Sequence, residues 1–118
     1  MKRWEENGRK LLIVWSSGDE EVARKMVLLY SGVMMERGYW DEAILMIWGP
    51  SAKILAESPQ LRNKIKEIKA SGVRVMGCIV CAEDYGVSDT LDALEIELTH
   101  TGDYLTRCLQ EGWRVLTF

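Results

Sequence analysis

Apolar and polar positions follow two different periods along this chain. Short apolar runs of strand length are separated by longer stretches in which apolar residues recur every three or four positions. This pattern is typical of repeated βα units, so it predicts an α/β fold built around a mostly parallel sheet. The first two runs are apolar almost throughout, which favours central strands covered on both faces. The five strand candidates are KLLIVWS (10–16), EAILMIWG (42–49), VRVMGCI (73–79), IELTH (96–100) and WRVLTF (113–118).

The first helical stretch, residues 19–38, has a wide apolar face. One face of this stretch carries, at helical spacing, a stripe of Val22, Met26, Leu29 or Tyr30, and Val33. Further apolar residues widen that stripe around the helix, namely Ala23, Val27 and Met34. Either the whole face packs on the sheet or part of it meets another subunit, and the pattern leaves both open. In the last helical stretch, Leu105 and Leu109 are four residues apart and are predicted to face inward.

Size and charge narrow the class of protein. The chain has 118 residues, and its 47% hydrophobic content is enough for one continuous core, so we expect a single domain over residues 1–118. The net charge is −3 and the basic residues are dispersed, which disfavours direct binding of nucleic acid.

Segment lengths and cysteine usage indicate a compartment. The apolar run that begins at Leu11 is too short for the core of a signal peptide, and no later run is long enough to span a membrane. Three cysteines, an odd number, favour free thiols over a disulfide framework. We therefore expect a cytoplasmic protein that does not associate with membranes.

The loop after the first strand candidate, SSGDEE (16–21), argues against a phosphate-bearing cofactor. A loop that holds phosphate needs several glycines and a free helix amino terminus, whereas this loop has one glycine and three acidic residues. Neither GxGxxG nor GxxxxGK[ST] occurs in the chain. A flavodoxin-like FMN carrier stays topologically possible, but the acidic loop disfavours it, and we expect no cofactor.

Two of the cysteines lie in GCIVCAEDYGV (77–87), where a strand gives way to a helix. Cys78 has apolar neighbours, as a buried core thiol would. It also lies at the carboxyl end of the third strand candidate, where an open parallel sheet binds its ligands, and a following helix favours a thiolate. With Cys81 it forms a C-x-x-C pair, although the first cysteine of a thiol redox motif opens a helix and Cys78 is predicted to lie in a strand.

Two further candidate functional features are a metal site and a histidine. Cys78, Cys81, Cys108 and His100 make one conceivable Cys₃His zinc set, but only the first pair has the usual ligand spacing, so we expect no metal. Cys108 is predicted to be a core or interface side chain. His100, the only histidine, ends the fourth strand candidate on the same sheet edge as Cys78, so it is a candidate for proton transfer.

Two longer segments carry a family pattern. VRVMGCIVCAEDYGV (73–87) and LEIELTHTGDYLTRCLQEGWRVLTF (94–118) resemble the DsrE/DsrF-like family of sulfur-relay proteins, which includes the TusBCD components of tRNA thiolation. In that family a cysteine ends the third strand and is followed at a fixed distance by a Gly-Val-type pair, matched here by Cys78, Gly86 and Val87. The resemblance extends from Leu11 to Phe118.

The resemblance implies both a fold and an activity. The fold is a three-layer α/β/α sandwich with a five-stranded sheet, and family members associate as trimers or hexamers. The family's cysteine, Cys78 here, accepts sulfane sulfur as a persulfide and passes it from a donor protein to an acceptor protein. This chain departs from the family in carrying Cys81, which suggests an internal disulfide that discharges the sulfur, and in having Tyr85 where some members have arginine.

Three functional hypotheses remain on the sequence alone. The first is an intracellular sulfur carrier or sulfurtransferase that uses Cys78, assisted by Cys81 and His100. The second is a non-catalytic oligomeric binding module in which Cys78 is buried. The third is a thiol redox protein that uses Cys78 and Cys81 as its pair.

Overall fold

The computed structural model describes residues 8–118, in which five strands form one sheet. The strands are β1 (Lys10–Trp15), β2 (Glu42–Ile47), β3 (Arg74–Cys78), β4 (Glu97–Thr99) and β5 (Arg114–Thr117). Each lies within a strand candidate of the sequence, so all five predicted strands are confirmed. Every pairing is parallel, and the order across the sheet is β4-β3-β2-β1-β5. The two most apolar strands, β1 and β2, are interior strands, as predicted.

Helices cover both faces of this sheet. The first, α1, is continuous over residues 20–33 and consists of Glu20–Val22, a π-helical segment Ala23–Val27, and Leu28–Val33. The others are α2 (Pro50–Glu57), α3 (Pro59–Ala70), α4 (Ile79–Asp84), α5 (Ser88–Ala93) and α6 (Thr101–Gln110). Helices α1 to α5 pack on one face, whereas α6 packs on the other. The predicted three-layer α/β/α sandwich is confirmed.

The two sheet faces bury two separate apolar clusters, because successive side chains of a strand point to opposite sides. On the five-helix face, Leu11, Ile13 and Trp15 of β1 lie in the larger cluster. On the α6 face, Leu12 and Val14 of the same strand lie in the smaller one. Ligands usually reach an open parallel sheet at the carboxyl ends of its strands, so the loops that follow the strands are the region to examine.

Part of the wide apolar face of α1 is exposed. Met26 and Leu29 are each 54% exposed, whereas Ala23, Val27 and Met34 are buried. The buried residues recur at ordinary helical spacing, so the side of the helix that packs on the sheet is the part that widens the stripe. The segment Ala23–Val27 is π-helical, since Leu28 N–H bonds to the Ala23 carbonyl five residues back.

The prediction for the last helix is partly wrong. Leu109 is exposed, although Leu105 packs against the α6-face cluster as expected. Cys108 occupies the inward position beside Leu109 and is 4% exposed. It is therefore a core side chain, one of the two roles predicted for it.

No helix in residues 8–118 combines the length and the apolar composition that crossing a membrane would require.

Candidate functional site: a paired-cysteine helix start

A short helix, α4, begins directly where β3 ends. Cys78 is both the last residue of β3 and the N-cap of α4, with an extended backbone (φ −74°, ψ 117°). Its Sγ atom accepts a hydrogen bond from the backbone N–H of Cys81 at 3.3 Å. This is the role that a serine or aspartate usually has at a helix start, where it satisfies a backbone donor that lacks a helical partner. The cysteine sulfur is thereby fixed at the sheet edge.

The same helix ends at the Gly-Val pair. Gly86 has a φ of +69°, a conformation that glycine adopts without strain. Its N–H bonds to the Glu83 carbonyl, and the N–H of Val87 bonds to the Ala82 carbonyl, the pattern of a Schellman motif. The residues between Cys78 and the Gly-Val pair therefore form one short helix, which is capped at both ends. Val87 then packs on the core of the five-helix face.

Cys78 lies just beneath the surface, with 7% of the residue exposed. Strand β4 pairs with β3, and Thr99 is the residue of β4 that lies opposite Cys78 in the parallel register. Two residues later, Thr101 opens α6 and is buried. The Thr101 hydroxyl makes no hydrogen bond of normal geometry to a nitrogen or oxygen in residues 8–118 and lies close enough to the Cys78 thiol to act on it.

Two opposing influences act on the pKa of the Cys78 thiol. Burial raises it, and this is the largest single influence, because a thiolate loses hydration there. It is lowered by the Cys81 thiol, by the Cys81 backbone N–H that bonds to Sγ, by the nearby Thr101 hydroxyl and by the Val80 backbone N–H. Together these donors outweigh burial, so the pKa of Cys78 lies below the ordinary cysteine value of 9.0. A lowered pKa favours the thiolate, which is the nucleophilic form.

Cys81 lies one turn into α4 and has the opposite tendency. Burial, the hydrogen bond that its thiol donates to Cys78 and the negative charge of Asp84 raise its pKa. Its Sγ also accepts a hydrogen bond from the backbone N–H of Gly49, at the loop after β2, at 3.3 Å. Because the two thiols share a hydrogen bond, they titrate as a pair that gives up its first proton readily and its second reluctantly.

The pair has the placement that the sequence analysis judged missing. The first cysteine of a thiol redox motif opens a helix, and Cys78 does so as the N-cap of α4 although it also ends β3. Cys81 follows inside the first turn. Cys78 lies in a strand, as predicted, but its strand position does not exclude a C-x-x-C interpretation, because the same residue also opens the helix.

His100 reaches the same sheet edge but does not join the pair. It follows β4 as the N-cap of α6, is exposed, and makes no side-chain capping bond. The described residues show no hydrogen bond between its imidazole and either thiol. Tyr85, likewise exposed, lies at the carboxyl end of α4, and no hydrogen bond within residues 8–118 links its phenol to the thiols.

The zinc set is not assembled. Cys108 lies in the α6-face core, where burial and the negative charge of Glu111 raise its pKa. In the part of the chain that the structure describes, no three His, Cys, Asp or Glu side chains are grouped so that they could hold a metal ion.

A cavity of about 890 Å³ opens at the opposite edge of the sheet, near the starts of β1 and β5. Tyr30, Tyr39 and Trp40 form its aromatic wall, and Arg114 and Leu116 line its other side. None of the three cysteines lines this cavity. The cysteine pair at the carboxyl edge therefore lies apart from this cavity.

Sequence reasoning missed two groups of the site, the Thr101 hydroxyl and the Gly49 backbone N–H. Thr101 directly follows His100, so its place at the carboxyl end of β4 was a usable signal. Gly49, with a φ of +76°, ends the loop after β2 and caps α2. A backbone donor carries no side-chain signature, so nothing in the sequence marks its partner.

Comparisons with known proteins agree with this geometry. A family model described as the DsrE/DsrF-like family matches residues 10–118. No curated protein is significantly similar to the chain in sequence.

Solved structures share the fold. BT1422, a conserved protein of unknown function from Bacteroides thetaiotaomicron, is 29% identical, with a TM-score of 0.88 over 92% of this chain and 94% of that one. MTH1491, of unknown function, from Methanobacterium thermoautotrophicum is 17% identical, with a TM-score of 0.70 over 93% of this chain and 99% of that one. The ychN protein from E. coli is 18% identical, with a TM-score of 0.69 over the same fractions, 93% and 99%.

Proposed function

Because the chain belongs to the DsrE/DsrF-like family, a family of sulfur-relay type, we propose that it carries sulfane sulfur as a persulfide on Cys78. It takes this sulfur from a donor protein and passes it to an acceptor protein, so it acts as a sulfur carrier or sulfurtransferase. No cofactor and no metal is needed for this chemistry.

The loading step is a thiol exchange. The Cys78 thiolate attacks the outer sulfur of a persulfide on the donor and forms a new S–S bond. The donor's own S–S bond breaks, and its electron pair leaves with the donor thiolate. Delivery to the acceptor repeats the step with Cys78 as the leaving thiolate. A thiolate with a lowered pKa serves both steps, since it is present at neutral pH and leaves readily.

The observation that carries the proposal is the set of hydrogen-bond donors on Cys78 Sγ. A buried thiol is ordinarily inert because burial raises its pKa. Here the backbone N–H at 3.3 Å, the Cys81 thiol and the Thr101 hydroxyl reverse that direction. Cys78 keeps 7% exposure at the carboxyl end of β3.

The test is loading by a sulfane donor, followed by intact mass measurement. When quenched with acid directly after loading, wild type and a Cys108→Ala control should gain about 32 mass units, one sulfur atom, and Cys78→Ser should gain nothing. Serine is a good N-cap, so Cys78→Ser keeps the helix start and removes only the sulfur. If Cys78→Ser loads as wild type does, Cys78 is not the acceptor.

The binding-module hypothesis gives a different result in the same experiment. Its support is the burial of Cys78, and it requires that neither sulfur nor iodoacetamide reaches this thiol until the protein is denatured. Rapid alkylation of native protein at Cys78 would therefore exclude it.

We also propose that the protein is a cytoplasmic homo-oligomer, a trimer or a hexamer. Met26 and Leu29 support this, because both are apolar and more than half exposed on one helix. Sedimentation equilibrium should give a mass of three or six chains, and a monomer at micromolar concentration would contradict it.

A further inference from the structure

We propose that Cys81 discharges the Cys78 persulfide within the same chain, releasing sulfide and leaving a Cys78–Cys81 disulfide. This inference rests on the proposed function, because it requires that Cys78 first accepts a sulfur atom. It adds a second activity, the reduction of bound sulfane sulfur to sulfide, for which a carrier with one cysteine has no internal electron source.

The geometry of α4 brings the two sulfurs together. Cys78 caps the helix and Cys81 lies one turn inside it, so the backbone N–H of Cys81 reaches the Cys78 Sγ atom at 3.3 Å. Each thiol also shifts the pKa of the other, so the two sulfur atoms lie near one another.

The backbone geometry places the inner sulfur next to Cys81. A persulfide offers two targets, Cys78 Sγ and the terminal sulfur beyond it. Attack on the terminal atom would only move the sulfur to Cys81, whereas attack on Cys78 Sγ expels it. Because Cys78 Sγ is held against the backbone N–H of Cys81 at 3.3 Å, it is the sulfur with a fixed position beside the attacking residue, and we infer that expulsion is the step that follows.

The step balances without a further reactant. Cys81 Sγ bonds to Cys78 Sγ, and the bond between Cys78 Sγ and the terminal sulfur breaks. The electron pair of the broken bond leaves with the terminal sulfur, which takes the proton of the Cys81 thiol and departs as HS⁻. The terminal sulfur is reduced to sulfide, and the two thiols are oxidised to a disulfide. An external dithiol would then be needed before a second turnover.

Gly49 contributes to the attacking sulfur. Its backbone N–H donates to Cys81 Sγ at 3.3 Å, so the thiolate that forms during the attack has a donor already in place. A backbone donor from another loop also restricts where the Cys81 side chain can lie. Cys81 is thus held by two elements, α4 and the loop after β2.

The experiment separates loading from discharge. Fully reduced wild type, Cys81→Ser, Cys78→Ser and Cys108→Ala are treated with sodium tetrasulfide and desalted. Samples are then quenched with acid at intervals, and intact mass and free sulfide are measured. Wild type and Cys108→Ala should lose the added sulfur, release one sulfide per chain, and end about two mass units lighter than the reduced protein. Cys81→Ser should keep its added 32 mass units at least about tenfold longer.

Two wild-type measurements support the same conclusion independently of any variant. The discharge rate should be first order and unchanged when the protein is diluted, because the step occurs within one chain. Peptide mapping should place the new disulfide between Cys78 and Cys81. A rate that falls on dilution, or a disulfide that includes Cys108, would overturn the proposal.

The remaining outcomes are also decisive. If Cys81→Ser loads and wild type keeps its sulfur equally long, the carrier function stands and the discharge step is wrong. If Cys81→Ser releases sulfide as fast as wild type, Cys81 is not the attacking group. If Cys81→Ser gains no sulfur at all, the proposed function fails, and the discharge step fails with it.

Discussion

Cys78 and Cys108 are nearly equally buried, 7% and 4% exposed, yet the pKa of Cys78 is lowered and that of Cys108 is raised. Burial acts in the same direction on both thiols and is the first cause in each case. The difference lies in their position along an element. Cys78 starts a helix, where backbone N–H groups have no helical partner, whereas Cys108 lies in the last turn of α6, where the backbone N–H groups already have helical partners.

This difference shows that exposure alone does not identify a reactive cysteine in this fold. Hydrogen-bond donors compensate a thiolate for the water that burial removes, and free donors occur at helix starts. A cysteine at the carboxyl end of a parallel strand is therefore placed where the next helix can stabilise its charge. One in a helix interior lacks these donors.

The largest expected consequence is in alkylation of the native protein. Iodoacetamide at neutral pH should label Cys78 at least about 100-fold faster than Cys108, because Cys108 reacts only when the core opens. Peptide mass spectrometry of a time course measures both rates in one sample. Equal rates would mean that burial, and not hydrogen bonding, governs both thiols.

The pH dependence of these rates should differ as well. Below its pKa a thiol gains thiolate about tenfold per pH unit, and the gain stops once the pKa is passed. Since Cys81 and Thr101 help to lower the pKa of Cys78, its labelling rate should level off below pH 9.0. In Cys78→Ser, burial and Asp84 still raise the pKa of Cys81, so its rate should keep rising beyond pH 9.0. A common plateau for the two would contradict the assigned directions.

The capped helix predicts a matched pair of glycine variants. Gly86→Ala places a side chain at a φ of +69° and should destabilise the protein by about 1 kcal/mol, roughly fivefold in the folding equilibrium. Gly102 also has open space around its Cβ position but lies in helix α6 without a positive φ, so Gly102→Ala should not destabilise. Urea unfolding of both variants gives the comparison. Equal stabilities would show that Gly86 is not needed to end α4.

Most of the fold could be predicted from the sequence, because long apolar runs and helical periods are strong local signals. The five strands needed nothing else. The face of α1 could be predicted only in part, because its apolar stripe is wide and periodicity does not show which part of it packs on the sheet. The inward orientation predicted for Leu109 was wrong because two apolar residues do not fix which side of a ten-residue helix packs on the core.

The site was predictable in its residues but not in its bonds. The position of Cys78 at a strand end, and its distance from Gly86, were visible in the sequence. That Cys78 both ends a strand and caps a helix was not, because strand and helix patterns overlap at that residue. The contributions of Gly49 and Thr101 depend on which loops meet at the carboxyl edge, and this is set by the strand order.

The smallest effect is expected from removing a single group of the site, the Thr101 hydroxyl. Thr101→Val keeps the branched shape and removes only a buried hydroxyl that lacks a normal partner in residues 8–118, so the free energy of unfolding should be unchanged or higher. Without this donor the pKa of Cys78 should rise, and its alkylation at neutral pH should slow by about threefold.

Thr106→Val is the control, because Thr106 lies exposed on the same helix and its hydroxyl donates to the Gly102 carbonyl at 2.8 Å. It should leave the Cys78 rate unchanged. If Thr101→Val and Thr106→Val label alike, the Thr101 hydroxyl does not stabilise the thiolate, and the Cys81 donors account for the lowered pKa.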